Sequence, residues 1–245
     1  MPQPPEQQAP PVQRLRIRYA KRGRLRFTSH RDFSRAFERA VFRARIPMAY
    51  SSGFNPHPRI SYANAAPTGS ASEAEYLEIA LAQVVDPADV HAQLDEALPP
   101  GLDVLEVVVS AGGSLSDRLE ASRWRIGTAV PLAEATAAVA AFLATESVPV
   151  SRMTKKGVRE FDCRTPVVTF EAVLPDGAGE AGTPGSLVEL DLLLRHTVPS
   201  VRPDDVLTGL KAVSGLDVGE APRLTRLAQG PYDEETGLVG DPLEA

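Results

Sequence analysis

The feature that most constrains the fold of this chain is an internal echo. Pro87-Ala88-Asp89-Val90, followed by Leu94 and then Gly101-Leu102-Asp103-Val104, returns as Pro203-Asp204-Asp205-Val206, Leu210 and Gly215-Leu216-Asp217-Val218. Each copy reads as a helix opened by proline in its first turn and left through a glycine into an extended run. An echo of that kind is faint by itself and supports one structural unit built twice, with more of the weight resting on the element order that the two halves share. The small, polar stretch Ser110 to Asp117 lies between the copies. It predicts a first unit over 14–110, a linker over 111–117 and a second unit over 118–228.

Within the first half, Leu15, Ile17 and Tyr19 alternate with Arg14, Arg16 and Arg18, and Leu25 and Phe27 alternate with Arg24 and Arg26. Period two of this kind predicts half-buried strands, with a turn at Lys21-Arg22-Gly23. Ser29 is placed as an N-cap before Phe33, Ala36, Phe37, Ala40, Val41 and Ala44, which predicts a helix over about 30–45 that ends before Pro47. Extended segments at about 58–64 and 74–83, a helix opened by Asp86 and Pro87, and a strand from Val104 to Val109 complete the order βαββαβ. The second half repeats it. Strands are expected at about 119–129 and 222–228, helices at about 131–146 and 203–214, and extended segments through 148–174 and 187–195. A hairpin around Lys156-Gly157 and a glycine-rich loop at 175–186 read as insertions. The expected class is α+β, two tandem ferredoxin-like βαββαβ units with antiparallel sheets. Residues 1–13, rich in Pro and Gln, are expected to be disordered, and 229–245, with five acids and no base, to form a solvated acidic tail.

Charge is distributed unevenly over this scaffold. Between Arg14 and Arg59 there are 13 Lys/Arg and two acids, a local net of +11 in a chain of net −6, so the remainder carries −17. A surface selected for solubility intersperses the two signs, whereas a one-sign field attracts a polyanion. On the expected scaffold, Arg14, Arg16, Arg18, Arg24 and Arg26 project from the open sheet face, and Arg31, Arg35, Arg39 and Arg43 form a stripe along one side of the first helix. Arginine arrays of this type bind phosphate backbones through paired N–H donors and counter-ion release. The loop Tyr50 to Arg59 adds Phe54, His57 and Arg59, side chains that stack on bases or bind phosphates, unless Phe54 serves only to plug the core. Lys155, Lys156 and Arg159, near Arg152, make a second basic patch. Two plainer readings compete, a solvated face balanced by neighbouring acids and a basic surface for an acidic protein partner.

Catalysis and metal binding have thinner support. His30 at a helix start and His57 in a turn-rich loop, with Ser29, Ser51 and Ser52 nearby, are the candidates for metal-independent ribonuclease chemistry, yet their spacing does not demand it, and no catalytic residue is assigned. His91 and His196 have no such company. The four histidines lack metal-ligand spacing, and the single cysteine, Cys163, excludes an internal disulfide and any Cys-rich cluster of the chain's own. Cys163 reads as a small core residue. Glu73, Glu75 and Glu78 read as sheet-face partners of the arginines. No metal or cofactor is expected. No apolar run reaches the roughly 18–20 residues of a membrane-spanning helix, and the N-terminus lacks the apolar core of a signal peptide. A cytoplasmic protein without membrane contact is expected.

The string Arg26-Phe27-Thr28-Ser29-His30-Arg31-Asp32, followed by Ile46-Pro47, Tyr50 to Pro58, Gly69-x-x-Ser72-Glu73-x-Glu75-Tyr76 and Lys155-Lys156-Gly157 to Asp162, resembles the radical-SAM-linked family of uncharacterised bacterial proteins. In that family the domain stands alone or follows a radical SAM enzyme, which implies a working relationship with one. This chain has no CxxxCxxC motif, so radical chemistry would belong to a separate partner. The expectation that follows is an RNA-binding accessory module that is not catalytic alone. It would present structured RNA to a radical SAM protein or a ribonuclease. A protein-interaction adaptor docking an acidic partner, and a metal-independent ribonuclease using His30 or His57, are the alternatives.

Overall fold

In the computed structural model, which describes residues 7–154, 157–175, 188–219 and 221–244, the chain is mixed α and β, with four α-helices and antiparallel strands among the described residues. It separates into two compact units. One runs to Leu119 and includes the segment from Asp241, and the other is Glu120–Gly240.

In the first unit the order is β1 (Gln13–Lys21), α1 (His30–Arg43), β2 (Ile60–Ala63), β3 (Ala71–Leu81), α2 (Pro87–Ala97) and β4 (Val104–Val109). The strands pair antiparallel as β4-β1-β3-β2. The alternation in β1 sets its faces as expected. Leu15, Ile17 and Tyr19 are buried in one cluster with Phe33, Phe37, Ala40 and Val41 of α1 and Val90 and Leu94 of α2. Tyr19 and Phe33 stack at 4.5 Å. Caps fix the helix starts. Ser29 Oγ accepts the Asp32 N–H at 3.2 Å, and Asp86 accepts the Ala88 N–H at 2.9 Å with Pro87 in the first turn.

The second unit contains β5 (Ala121–Thr128), α3 (Leu132–Ala144), the hairpin β6 (Pro149–Thr154) and β7 (Gly157–Asp162), then β8 (Val167–Val173), β9 (Val188–Arg195), α4 (Pro203–Ser214) and β10 (Arg223–Gly230). Its sheet order, β10-β5-β9-β8, is that of the first unit with the hairpin inserted after the first helix. By register, Trp124, Leu192 and Phe170 share a sheet face, and Phe142 of α3 meets Phe170 edge to face at 5.8 Å.

Four expectations are corrected. Residues 24–27 are not a strand: Gly23–Phe27 is a 3-10 turn, closed by Leu25 N–H to Arg22 O and Thr28 N–H to Leu25 O, with Leu25 packed on the core. At three residues per turn the side chains do not alternate, and Leu25 and Arg26 are both half-buried while Phe27 is exposed, so period two over four residues was too short a run to identify a strand. Gln13 begins β1 instead of ending a disordered leader, and residues 1–6 lie outside the described residues. The segment 111–117 packs on the first unit, since the Gly112 and Gly113 carbonyls accept from Arg16 and Leu115 is buried, so the boundary falls after Leu119. Finally, 229–245 is not a free tail. Tyr232–Asp233 and Leu238–Val239 pair as β11 and β12, and Leu243 is buried with Leu115, Leu119 and Tyr76. The loop expected at 175–186 lies, apart from its first residue, outside the described residues.

Candidate nucleic-acid interface

The basic segment divides by what its side chains touch. On β1 the arginines do face away from the helices, but they do not form a free positive surface. Arg16 stands opposite Glu78 in register. Its side chain is 1% exposed, and it donates to Glu78 at 3.3 Å and to the Gly112 and Gly113 carbonyls at 2.5 and 3.1 Å. Arg14 takes the other Glu78 oxygen at 3.0 Å, and the Ser110 hydroxyl donates to the carboxylate at 2.8 Å. Arg18 is half-buried, its Nε donating to the Glu73 carbonyl at 3.0 Å. Arg22 binds Glu73 and Asp103, and its hydrogen bonds to Glu73 hold its pKa above the ordinary value although burial opposes. Lys21 is buried against the Ala66 and Pro67 carbonyls. The expectation that Arg16 meets a polyanion from the sheet face is therefore corrected, because a guanidinium withdrawn from water requires a fixed counter-charge and finds it inside the unit. Of the acid row, Glu73 and Glu78 pair with arginines as expected, while Glu75 is buried and accepts the Ala66 N–H at 3.2 Å.

On α1 the opposite holds. Phe33, Phe37, Ala40 and Val41 point inward, so at about 100° per residue the outer face carries Arg31, Arg35, Glu38, Arg39 and Phe42. Arg31, Arg35 and Arg39 are exposed, with neither an ion pair nor a hydrogen bond among the described residues. Arg43 is exposed and donates to the Ala97 carbonyl at 2.6 Å. Phe42 is 82% exposed and borders two surface grooves of about 580 Å³ each. One is lined by Arg35, Glu38, Arg39 and Arg43, and the other by Arg45, Met48, Tyr50 and Pro58 among others. Arg45 holds a left-handed backbone, φ 54°, just past the helix end. Phe42, Arg45 and Tyr50 are members of this surface that sequence reasoning missed. The available signal was that Phe42 is out of phase with the inward set.

Arg24 is exposed, while Arg26 is half-buried with its guanidinium 4.7 Å from the Phe27 ring centroid. The loop after α1 is held by its own backbone. Ser51 N–H donates to the His57 carbonyl at 2.9 Å, His57 N–H donates to Ser51 Oγ at 3.0 Å, and Arg59 Nε donates to the Tyr50 carbonyl at 3.1 Å. Gly53, at φ +133°, occupies a conformation that side-chain-bearing residues rarely adopt. The loop presents Phe54, 73% exposed, and His57 to solvent, so Phe54 does not plug the core. His30 lies edge-on to Tyr62 at 4.9 Å, and the Ser29 hydroxyl is engaged with Asp32 at 2.6 Å. Among the described residues neither imidazole hydrogen-bonds an acid or a hydroxyl.

In the second unit, Arg152 is committed to Asp205 at 2.5 Å and to the Ser200 carbonyl at 3.0 Å. Arg159, opposite it in register, is exposed, and Lys155 and Lys156 lie outside the described residues. Cys163 is buried, and burial, reinforced by Asp162 and Asp205, pushes its thiol up to about 12, as befits a core residue. Among the described residues no group of three or more His, Cys, Asp or Glu could hold a metal ion, and no helix is long and apolar enough to cross a membrane.

Residues 14–203 match the model of a bacterial family described as an uncharacterized protein conserved in bacteria. No curated protein matches the chain.

Proposed function

Because the chain belongs to that family, DUF2344, whose description carries no activity, we propose its function from its own side chains: it is an RNA-binding accessory module that is not catalytic alone. The observation that carries this reading is the outer face of α1, where Arg31, Arg35 and Arg39 are exposed and have no ion-pair or hydrogen-bond partner among the described residues, with Phe42 on the same face. On β1 and the turn after it, Arg14, Arg16 and Arg22 are paired with acids, whereas the α1 arginines share their face with Glu38 and outnumber it, and that surplus of positive charge is what an external anion would meet. The contact set is accordingly Arg24, Arg31, Arg35, Arg39, Arg43, Phe54, His57 and Arg59, with Arg159, Lys155 and Lys156 on the second unit. Cytoplasmic residence with RNA follows from this reading.

The fold belongs to the same proposal. Two tandem ferredoxin-like units are supported by the element order βαββαβ and by the sheet order, last strand, first, third, second, which recurs in both halves. Association with a radical SAM protein or a ribonuclease rests on the motif resemblance, and the chemistry would be the partner's.

Equilibrium binding of cellular RNA fractions across a salt series, with Arg31, Arg35 and Arg39 all changed to Glu in a parallel sample, tests the reading. Class-selective binding that weakens with salt and disappears in the triple variant is expected. Binding indifferent to the triple change would transfer the basic face to an acidic protein partner. RNA cleavage that survives chelator and is lost in His30→Ala or His57→Ala would make the chain a ribonuclease instead.

A further inference from the structure

The chain has eight phenylalanines. Phe33, Phe37, Phe142, Phe161 and Phe170 are buried, whereas Phe27, Phe42 and Phe54 are 59%, 82% and 73% exposed. All three exposed rings fall inside the basic segment 14–59. A single exposed apolar side chain needs no explanation. Three rings confined to the segment that also carries the exposed arginines of α1 do need one, since solubility favours neither the rings nor the one-sign field.

The two side-chain types answer to two parts of one ligand. Guanidinium groups hold phosphates, and exposed aromatic rings offer π-faces to bases that have left a stack. In a duplex the base faces are already covered by their neighbours, so Phe42 would meet only the charged sugar–phosphate edge and be desolvated without gain. Glu38 sharpens this distinction. It lines both grooves beside Phe42, where its carboxylate repels a phosphate but accepts a hydrogen bond from a base amino group. The backbone is therefore drawn to Arg35, Arg39 and Arg45 on either side, and a base to the ring between them.

We propose that this face binds single-stranded RNA, either a free strand or the loop of a folded one, by stacking unpaired bases on Phe42 and on Phe54 of the following loop while the arginines hold the flanking phosphates. The inference rests on the RNA-binding reading and narrows its ligand to unpaired nucleotides.

The test uses the full chain and a labelled 12-nucleotide RNA of mixed sequence, alone and annealed to its complement, followed by fluorescence anisotropy at fixed salt. The single strand should bind at least about tenfold more tightly than the duplex. Phe42→Ala should weaken single-strand binding about 5-fold or more, the lower end of what one base–aromatic stack contributes, and leave duplex binding unchanged. Phe42→Tyr should restore most of the loss. Because Phe42 is exposed, its truncation leaves the core intact. Equal affinity for both probes, or single-strand binding unaffected by both Phe42→Ala and Phe54→Ala, overturns the stacking inference. If such binding still required Arg31, Arg35 and Arg39, the RNA reading would survive alone. If neither probe bound, the RNA reading would fall and the inference with it.

Discussion

Arg16 and Arg35 belong to the same basic segment and have opposite fates. Arg16 is sealed in the first unit with Glu78 and two carbonyls, and Arg35 stands in solvent. Arg16→Ala should cost about 2–3 kcal/mol, because Glu78 keeps only the half-exposed Arg14 as counter-charge and the Gly112 and Gly113 carbonyls lose their donor, whereas Arg35→Ala should stay within about 0.5 kcal/mol. Urea denaturation of both variants checks this, and an unchanged midpoint for Arg16→Ala would refute its structural role. Nothing local distinguishes these residues in the sequence, since the partner that decides Arg16 lies across the sheet on β3. Gly209 makes the same point about contact. An added Cβ there would stand 2.5 Å from Cys163 Sγ and 2.9 Å from a Val148 methyl, so α4 approaches so closely only because this side chain is missing. Gly209→Ala should destabilise by about 1–3 kcal/mol through overpacking, measurable as a lowered Tm, and a raised Tm would contradict the packing described.

At the scale of elements, sequence and structure agreed where a stop or start signal is chemical. Ser29, Asp86-Pro87 and Pro203 mark their helices to within about two residues, and the hairpin at Lys156-Gly157 is present as β6 and β7. Agreement failed where only periodicity was available, at 24–27, and where a segment's role depends on remote packing, as with Leu243. The hairpin's exit is fixed by Asp162, whose carboxylate accepts from the backbone N–H groups of Val148, Arg164 and Thr165 and from the Thr165 hydroxyl. Burial would raise its pKa, but these hydrogen bonds outweigh it and bring the group down to about 2. A folded pKa below the unfolded one stabilises fully above the unfolded value, about 4, and the gain is lost as pH falls toward 2. Asp162→Asn should therefore cost roughly 1–2 kcal/mol at pH 7, allowing for solvent screening. The gap from wild type should narrow between about pH 4 and pH 2. A gap independent of pH, measured by urea titration at pH 7, 5 and 3, would exclude the carboxylate as its source.

For the whole molecule, the net charge of −6 conceals a segment of net +11, part of it paired with Glu73, Glu78 and Asp103 and part of it left exposed on α1. Each phosphate contact on a single strand adds about 0.7 to the slope of log affinity against log salt. Replacing Arg35 and Arg39 by Ala should therefore flatten that slope by somewhat more than one, and an unaltered slope would mean that neither meets a phosphate. The overall charge asymmetry was legible at once. Which arginines remain available was not, because that depends on acids brought in by the fold.

The burial of Leu243 beside Leu115 and Leu119 has a temporal side. Residues of the first unit come from both before and after the second, so a ribosome that has finished the βαββαβ order of the first unit has not finished the unit. Leu115 and Leu119, packed until then only with earlier residues such as Ala63 and Ala74, wait for Leu243 while some 120 intervening residues are made. During that interval the nascent chain carries a partly covered apolar strip, and the segment from Asp241, made after the whole second unit, is what completes its cover.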